Sequence, residues 1–249
     1  MKKFIYLIIL LFISIYTNAQ SSEILFEKGN QAYMNKQYEI ALKNYLQINN
    51  KKDISADLYY NIGNTYFRLN DYANAILYYE RGILLKPYDD NLNTNLKVAK
   101  ARLKSDVYIM PNFFLIDWWN NISNLFISST WTIVSIILLL ISCIVFTYYY
   151  FSVNNKKFFF YSFILSSLLF IVSFFAGFTR QKQIQSKDNA IVFSEATMGK
   201  DSPDENSTDN IKIVKGQKIK IVDKSNNWIK IKTEDGKEAW IENKNIVII

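Results

Sequence analysis

Two stretches of this chain run for 21 residues each without a charge, Trp131–Phe151 and Phe158–Phe178. As helices rising 1.5 Å per residue, each would reach about 31 Å, the depth of a bilayer's hydrocarbon core. Only Ser152–Lys157 separates them, which leaves room for a tight turn and little else. A two-helix transmembrane hairpin is therefore expected, with spans over 131–151 and 158–178. Half of all residues are hydrophobic and 16% are aromatic, yet the mean hydropathy is near zero. The remainder of the chain must then be ordinary soluble sequence. The net charge of +7 is not gathered on one segment. Residues 20–106 and 180–249 are each nearly balanced, and the excess sits beside apolar runs at Lys2, Lys3, Lys156 and Lys157. A nucleic-acid binder concentrates base on one face, so that class is excluded, whereas membrane flanking accounts for the charge.

The first residues have the form of an address. Lys2-Lys3 precede an apolar stretch, Phe4–Tyr16, and Thr17-Asn18-Ala19 offers small residues for cleavage. This predicts a signal peptide over 1–19. No cysteine follows the cut, so a lipid anchor there is not expected. Export of the N-terminal part would put Lys156 and Lys157 in the cytoplasm, as the positive-inside rule prefers. Arg180, Lys182 and Lys187 pull weakly the other way. The expected location is the bacterial inner (cytoplasmic) membrane, with both soluble domains extracytoplasmic.

Residues 22–104 match themselves at a fixed offset. Gly29-Asn30 aligns with Gly63-Asn64, Tyr38 with Tyr72, Ala41 with Ala75 and Tyr45 with Tyr79, always 34 residues apart. The second copy closes at Pro87, which cannot continue a helical hydrogen-bond ladder. This spacing and residue order resemble the tetratricopeptide repeat, an all-α helix–turn–helix unit. A third helix with Leu92, Leu96, Ala99 and Leu103 on one face, and Lys97, Lys100 and Lys104 away from it, resembles the polar-backed helix that caps a repeat array. The repeat domain is thus expected over 20–104. Two repeats and a cap fall short of the three usually needed for stability, so the array is expected to pack against another element, to bind a partner, or to be marginally stable.

Residues 113–128 are aromatic but interrupted by Asp117 and asparagines, and tryptophans at this density before a span favour the headgroup interface, the other reading being a buried helix of the repeat domain. From 188 to 249 the period changes. Ile211–Val214, Lys218–Val222 and Trp228–Lys232 alternate apolar and charged residues, as half-buried strands do, and Gly216 and Asp235-Gly236 supply turns. Gly216–Ile221, Trp228–Ile231, Asp235-Gly236 and Ala239-Trp240-Ile241 resemble a bacterial SH3-like barrel. Lys200–Asn210, polar and containing Pro203, is expected to be a long exposed loop. Trp228 and Trp240 lie on alternating strands and are expected in the core; Pro-rich peptide binding is the other use for such residues.

No chemistry-bearing constellation accompanies these modules. The sequence has no histidine and one cysteine, Cys143, inside the first apolar run. There is no Gly-rich phosphate loop, no paired metal ligands, and no nucleophile beside a candidate base. The chain is expected to be no enzyme, with no cofactor and no metal. Binding surfaces remain. The resemblance to tetratricopeptide domains implies a groove lined from the first helix of each repeat: Glu23, Phe26, Asn30, Tyr33 and Met34, then Asp57, Tyr60, Asn64, Phe67 and Arg68. Family members use asparagines at the Asn30 and Asn64 positions to clamp a peptide backbone or C-terminal carboxylate. The lysine of such clamps is replaced by Phe26 and Tyr60, so an aromatic-lined peptide groove is expected, with Phe26, Asn30, Tyr33, Asn64, Phe67 and Arg68 as its binding residues.

The order of signal peptide, tetratricopeptide repeats, two spans and SH3-like domain resembles the BatE family of Bat (aerotolerance operon) proteins. That resemblance implies a membrane-anchored scaffold or adaptor. Its implied partners are other Bat membrane proteins bearing von Willebrand A domains and a MoxR-type ATPase on the cytoplasmic side, besides the lipid bilayer, and no nucleic acid. The other expected role is a cell-envelope protein that binds peptidoglycan through its SH3-like domain.

Overall fold

The computed structural model describes residues 22–50, 54–103, 110–111 and 113–249. The expected signal peptide and Lys104 lie outside them. The chain forms two compact units, Met1–Met110 with Lys187–Ile249, and Pro111–Ser186.

The first unit begins with antiparallel helices: α1 (22–34), α2 (Tyr38–Asn50), α3 (Ala56–Arg68), α4 (Tyr72–Leu85) and α5 (Asp90–Leu103). Local chemistry fixes their ends. Ser55 Oγ accepts from Leu58 N at 3.1 Å to cap α3, and Asp71 Oδ1 accepts from Asn74 N at 3.2 Å to cap α4, each satisfying an orphan backbone donor. Lys36 and Asn70, 34 apart, both take the left-handed conformation in the turn inside each repeat (φ 61° and 62°). Small residues bring the paired helices together. A Cβ on Gly29 would lie 2.4 Å from the Tyr45 ring, and one on Gly63 would lie 2.5 Å from the Tyr79 ring. Ala41 and Ala75 are fully buried.

Seven antiparallel strands follow: β1 (Asn189–Val192), β2 (Ala196–Lys200), β3 (Asp209–Val214), β4 (Lys218–Ser225), β5 (Trp228–Thr233), β6 (Glu238–Glu242) and β7 (Ile246–Ile248), hydrogen-bonded in the order β3-β2-β6-β5-β4-β1-β7. Ala190, Val192, Ile213, Ile219, Ile229, Ile231 and Ile241 form their core. Gly236, at φ 86°, allows the tight β5–β6 turn. The expected loop over 200–210 is shorter than its polarity suggested, because Lys200 ends β2 while Asp209 and Asn210 open β3. Register, set by the half-buried Ile211 and the buried Ile213 of β3 pairing with Gly199 and Thr197, recruits those polar residues into the ladder.

The strand domain also contributes to the core of the helices. Ile191 is fully buried in the helical cluster, with Phe193 and Ile249 packed against it alongside Leu96 and Leu103. Around this apolar contact lie buried charges. Lys218 Nζ donates to Glu80 Oε2 at 2.7 Å, and Lys100 Nζ lies 3.6 Å from Glu80 and 3.5 Å from Glu234. Arg81 Nη2 donates to the Ile248 carbonyl at 2.8 Å, so α4 covers part of the edge strand β7. Lys100 is therefore not on a solvated back of α5; it is 9% exposed, because the strand domain supplies it with a carboxylate. The strand domain packs on α4 and α5 and so covers one side of the two-repeat array.

The second unit contains α6 (Phe114–Ser123), α7 (Ser128–Phe151) and α8 (Lys156–Gln185). α7 and α8 are long and apolar enough to cross a membrane, and only 17% and 11% of their most apolar windows are buried. They are thus not core helices of this fold. Hydroxyl pairs join them, Ser135 with Ser173 at 3.0 Å and Ser142 with Ser167 at 2.8 Å, and Gly177 admits Trp131 where a Cβ would come within 2.8 Å. Small and hydroxylated residues of this kind let apolar helices approach closely. Cys143 is exposed on α7.

Glu80→Gln would leave two lysines facing an uncharged amide. Removing one partner of a fully buried pair costs about 3–5 kcal/mol, and we expect less here, about 2–3 kcal/mol, because the Lys218 side chain keeps 31% exposure. Thermal unfolding of the detergent-solubilised chain measures it; an unchanged Tm would show that the apolar contact alone holds the domains. Burial disfavours the Lys218 ammonium, but the charge and hydrogen bond of Glu80 override it and raise its pKa above the usual 10.5. Such a group stabilises the fold fully below the unfolded pKa and loses that contribution as pH climbs through the higher folded value. The Lys218 contribution should persist across neutral pH and fade only in strongly alkaline solution.

Candidate functional site

One side of the helical array forms a pocket of about 280 Å³ lined by Tyr33, Tyr60, Asn64, Phe67, Arg68, Tyr79, Asn95 and Val98. Its geometry grows from a polar relay that repeats with the sequence. In the first copy, Asn30 Oδ1 accepts from the Tyr45 hydroxyl at 2.8 Å and from Asn61 Nδ2 at 3.1 Å. In the second, Asn64 Oδ1 accepts from the Tyr79 hydroxyl at 2.7 Å and from Asn95 Nδ2 at 2.8 Å. Every member is displaced by 34 residues from its counterpart. Two donors on one carbonyl fix which way each amide points, so the NH2 group of Asn30 and of Asn64 is the end available to a ligand.

The tyrosines are reliable donors in this relay. Burial pushes the Tyr45 hydroxyl up to about 12, and burial raises Tyr79 as well. Neither ionises in the neutral range. Aromatic contacts repeat too: Tyr33 meets Tyr38 edge-on at 5.4 Å, and Phe67 meets Tyr72 at 5.3 Å. Arg68 Nε donates to the Tyr33 hydroxyl at 3.3 Å, tying the two copies together at the pocket and placing a cation there.

Of the six residues expected to bind, Tyr33, Asn64, Phe67 and Arg68 line this pocket. Asn30 belongs to the equivalent relay one repeat earlier. Phe26 packs over the Tyr45 ring at 5.8 Å. Tyr60 lines the pocket, whereas Glu23 is exposed, Met34 is 80% exposed, and Asp57 pairs with Lys86 at 2.9 Å. Asn61 and Asn95 went unnoticed in the sequence, although they obey the same 34-residue offset; Asn95 sits in the capping helix, beyond the two recognised copies.

The strand domain presents a second surface. Trp228 and Trp240 are half-buried and do not belong to its core, contrary to expectation. Alternation explains this: Ile229, Ile231 and Ile241 take the inner positions, so the tryptophans fall on the opposite face. There Trp228 pairs with Glu242, and Trp240 with Lys230.

Two family models match parts of the chain: the tetratricopeptide repeat over residues 56–89 and the bacterial SH3 domain over residues 201–247. The chain therefore carries both kinds of domain, which indicates protein partners in general. The SH3 match begins after β1 and β2, so it leaves out Ile191 and Phe193. Comparison with curated proteins gives no match. Among solved structures, the Arabidopsis OM64 TPR domain is similar at 24% identity over 35% of this chain and 72% of that one, with a TM-score of 0.34.

Tyr79→Phe keeps the ring and removes one donor to Asn64. A hydrogen bond of this kind contributes about 0.5–1.5 kcal/mol, and thermal unfolding should register a loss of that size. No loss would show that the relay does not hold the Asn64 amide.

Proposed function

We propose that this protein is a membrane-anchored adaptor that holds partner proteins in the groove of its tetratricopeptide domain. The observation that carries the reading is the doubled asparagine relay. It presents two amide NH2 groups, one repeat apart, beside aromatic side chains and Arg68. Donors at a fixed interval suit the carbonyls of an extended peptide, and the aromatics suit its side chains. The role proposed is binding, and the sequence has no histidine to act as a general base.

In this reading α7 and α8 cross the inner membrane as a hairpin. The first unit is built from segments on both sides of that hairpin, so both segments emerge on one face of the bilayer. The signal-peptide reading and the lysines at 156 and 157 favour the extracytoplasmic face. The order of domains supports a BatE-type scaffold, whose partners would be von Willebrand A-domain membrane proteins acting with a MoxR-type ATPase. A second reading, peptidoglycan binding by the SH3 domain, draws on the outward Trp228 and Trp240, since aromatic faces can stack on sugars or peptides.

Protease added to spheroplasts should reach both 22–103 and 189–249. Protection of one segment while the other is cut would sink the hairpin. Asn30→Ala combined with Asn64→Ala should release partners captured from native membranes. Two lost hydrogen bonds of about 0.5–1.5 kcal/mol each weaken a complex roughly ten-fold or more. The wall-binding reading expects the double variant to retain every partner, and expects the full chain to sediment with purified peptidoglycan unless Trp228 and Trp240 are replaced by alanine.

A further inference from the structure

Helix α6 has three faces, each marked by residues four apart. Trp119 and Ser123, with Asn120 between them, face the other helices of the second unit. Trp119 Nε1 donates to Thr179 Oγ1 at 3.1 Å, and Gln183 Nε2 donates to Asn120 Oδ1 at 3.1 Å. The Ser123 carbonyl accepts from Trp131 Nε1 at 3.0 Å. Just past the helix, Asn124 Oδ1 accepts from Arg180 Nη1 at 3.2 Å. Phe114 and Trp118, with Leu115 beside them, form an apolar flank that is 68%, 60% and 49% exposed. Asp117 and Asn121 form an exposed polar flank.

These hydrogen bonds fix a depth. Thr179, Arg180 and Gln183 belong to the polar end of α8, Thr179–Gln185, just past the apolar stretch that closes at Phe178, and Trp131 stands in the first turn of α7, where its apolar stretch opens. α6 is therefore held where both apolar runs stop. Its apolar flank is level with the ends of the outward apolar surfaces of α7 and α8, and a polar flank runs beside it along the same ten residues. A helix sheathed by protein would not need that division, whereas one lying between headgroups and acyl chains does.

We propose that α6 lies along the lipid headgroup boundary, with Phe114, Leu115 and Trp118 toward the acyl chains and Asp117 and Asn121 toward water. The proposal rests on the reading that α7 and α8 cross the bilayer. The occupant of the apolar flank is lipid, and the helix fixes the height of the hairpin in the membrane through aromatic residues that prefer this layer.

The test uses the full chain with Cys143→Ala, reconstituted in vesicles of phosphatidylethanolamine and phosphatidylglycerol. Single cysteines at Trp118, Asn121 and Leu140 carry a nitroxide, and collision with oxygen is compared with collision with an aqueous nickel chelate. Leu140, in the middle of α7, should be oxygen-accessible and nickel-protected; nickel access there would overturn the spanning reading itself. With Leu140 as expected, Trp118 should give an oxygen-to-nickel ratio several-fold above that of Asn121. Equal nickel access at both positions would place α6 in water and overturn the proposal. Protection of Trp118 from both reagents would show a protein covering that flank, and would overturn it equally.

Discussion

A two-repeat helical array has one face too many. Each helix pair buries one side against its neighbour, and the last pair leaves apolar residues with nothing to cover them. Here that face is closed by β1 and the C-terminal strand, which bring Ile191, Phe193 and Ile249 into the helical core. The contact is bounded by Glu80, 5% exposed, with Lys218 and Lys100 around it. A carboxylate so deeply buried needs its cations, and they come from two different domains. That requirement gives the apolar contact a specific register, since sliding the strand domain along α4 would strand the charge.

The same two helices serve both the pocket and the docking surface. On α4, Tyr79 holds the Asn64 amide while its neighbours Glu80 and Arg81 bind the strand domain. On α5, Asn95 completes the relay and Lys100 completes the charge network. Consecutive residues on a helix point in different directions, so a single pair of helices can present one network to the groove and another to the strand domain. Rigid attachment on one side therefore supports the geometry on the other.

The second unit is joined in a different way. α7 and α8 gain little from apolar contact with each other if their surroundings are equally apolar, and their pairing uses close approach and hydroxyl bonds instead. Ser135 with Ser173, Ser142 with Ser167, and Gly177 beneath Trp131 form that seam. The indole and amide bonds of α6 extend it to the level where the apolar runs end.

Periodicity by itself determined much of this protein. The uncharged runs gave two long helices, the 34-residue offset gave the repeats and Asn30 and Asn64 within them, and alternation gave β3 to β6. Those are local properties, written in residues close together along the chain. The fate of Lys100 was not local, because its carboxylates lie on α4 and in the β5–β6 turn. The inner or outer placement of Trp228 and Trp240 depended on which side of each strand the isoleucines claimed. One member of the asparagine relay, Asn95, lay in the capping helix, beyond the two recognised copies, and became visible only where it met Asn64. What only the tertiary structure decided was which surfaces were left over. The strand domain closes the array at α4 and α5 and leaves the asparagine groove open, because burying Ile191 and pairing Glu80 required that face and no other.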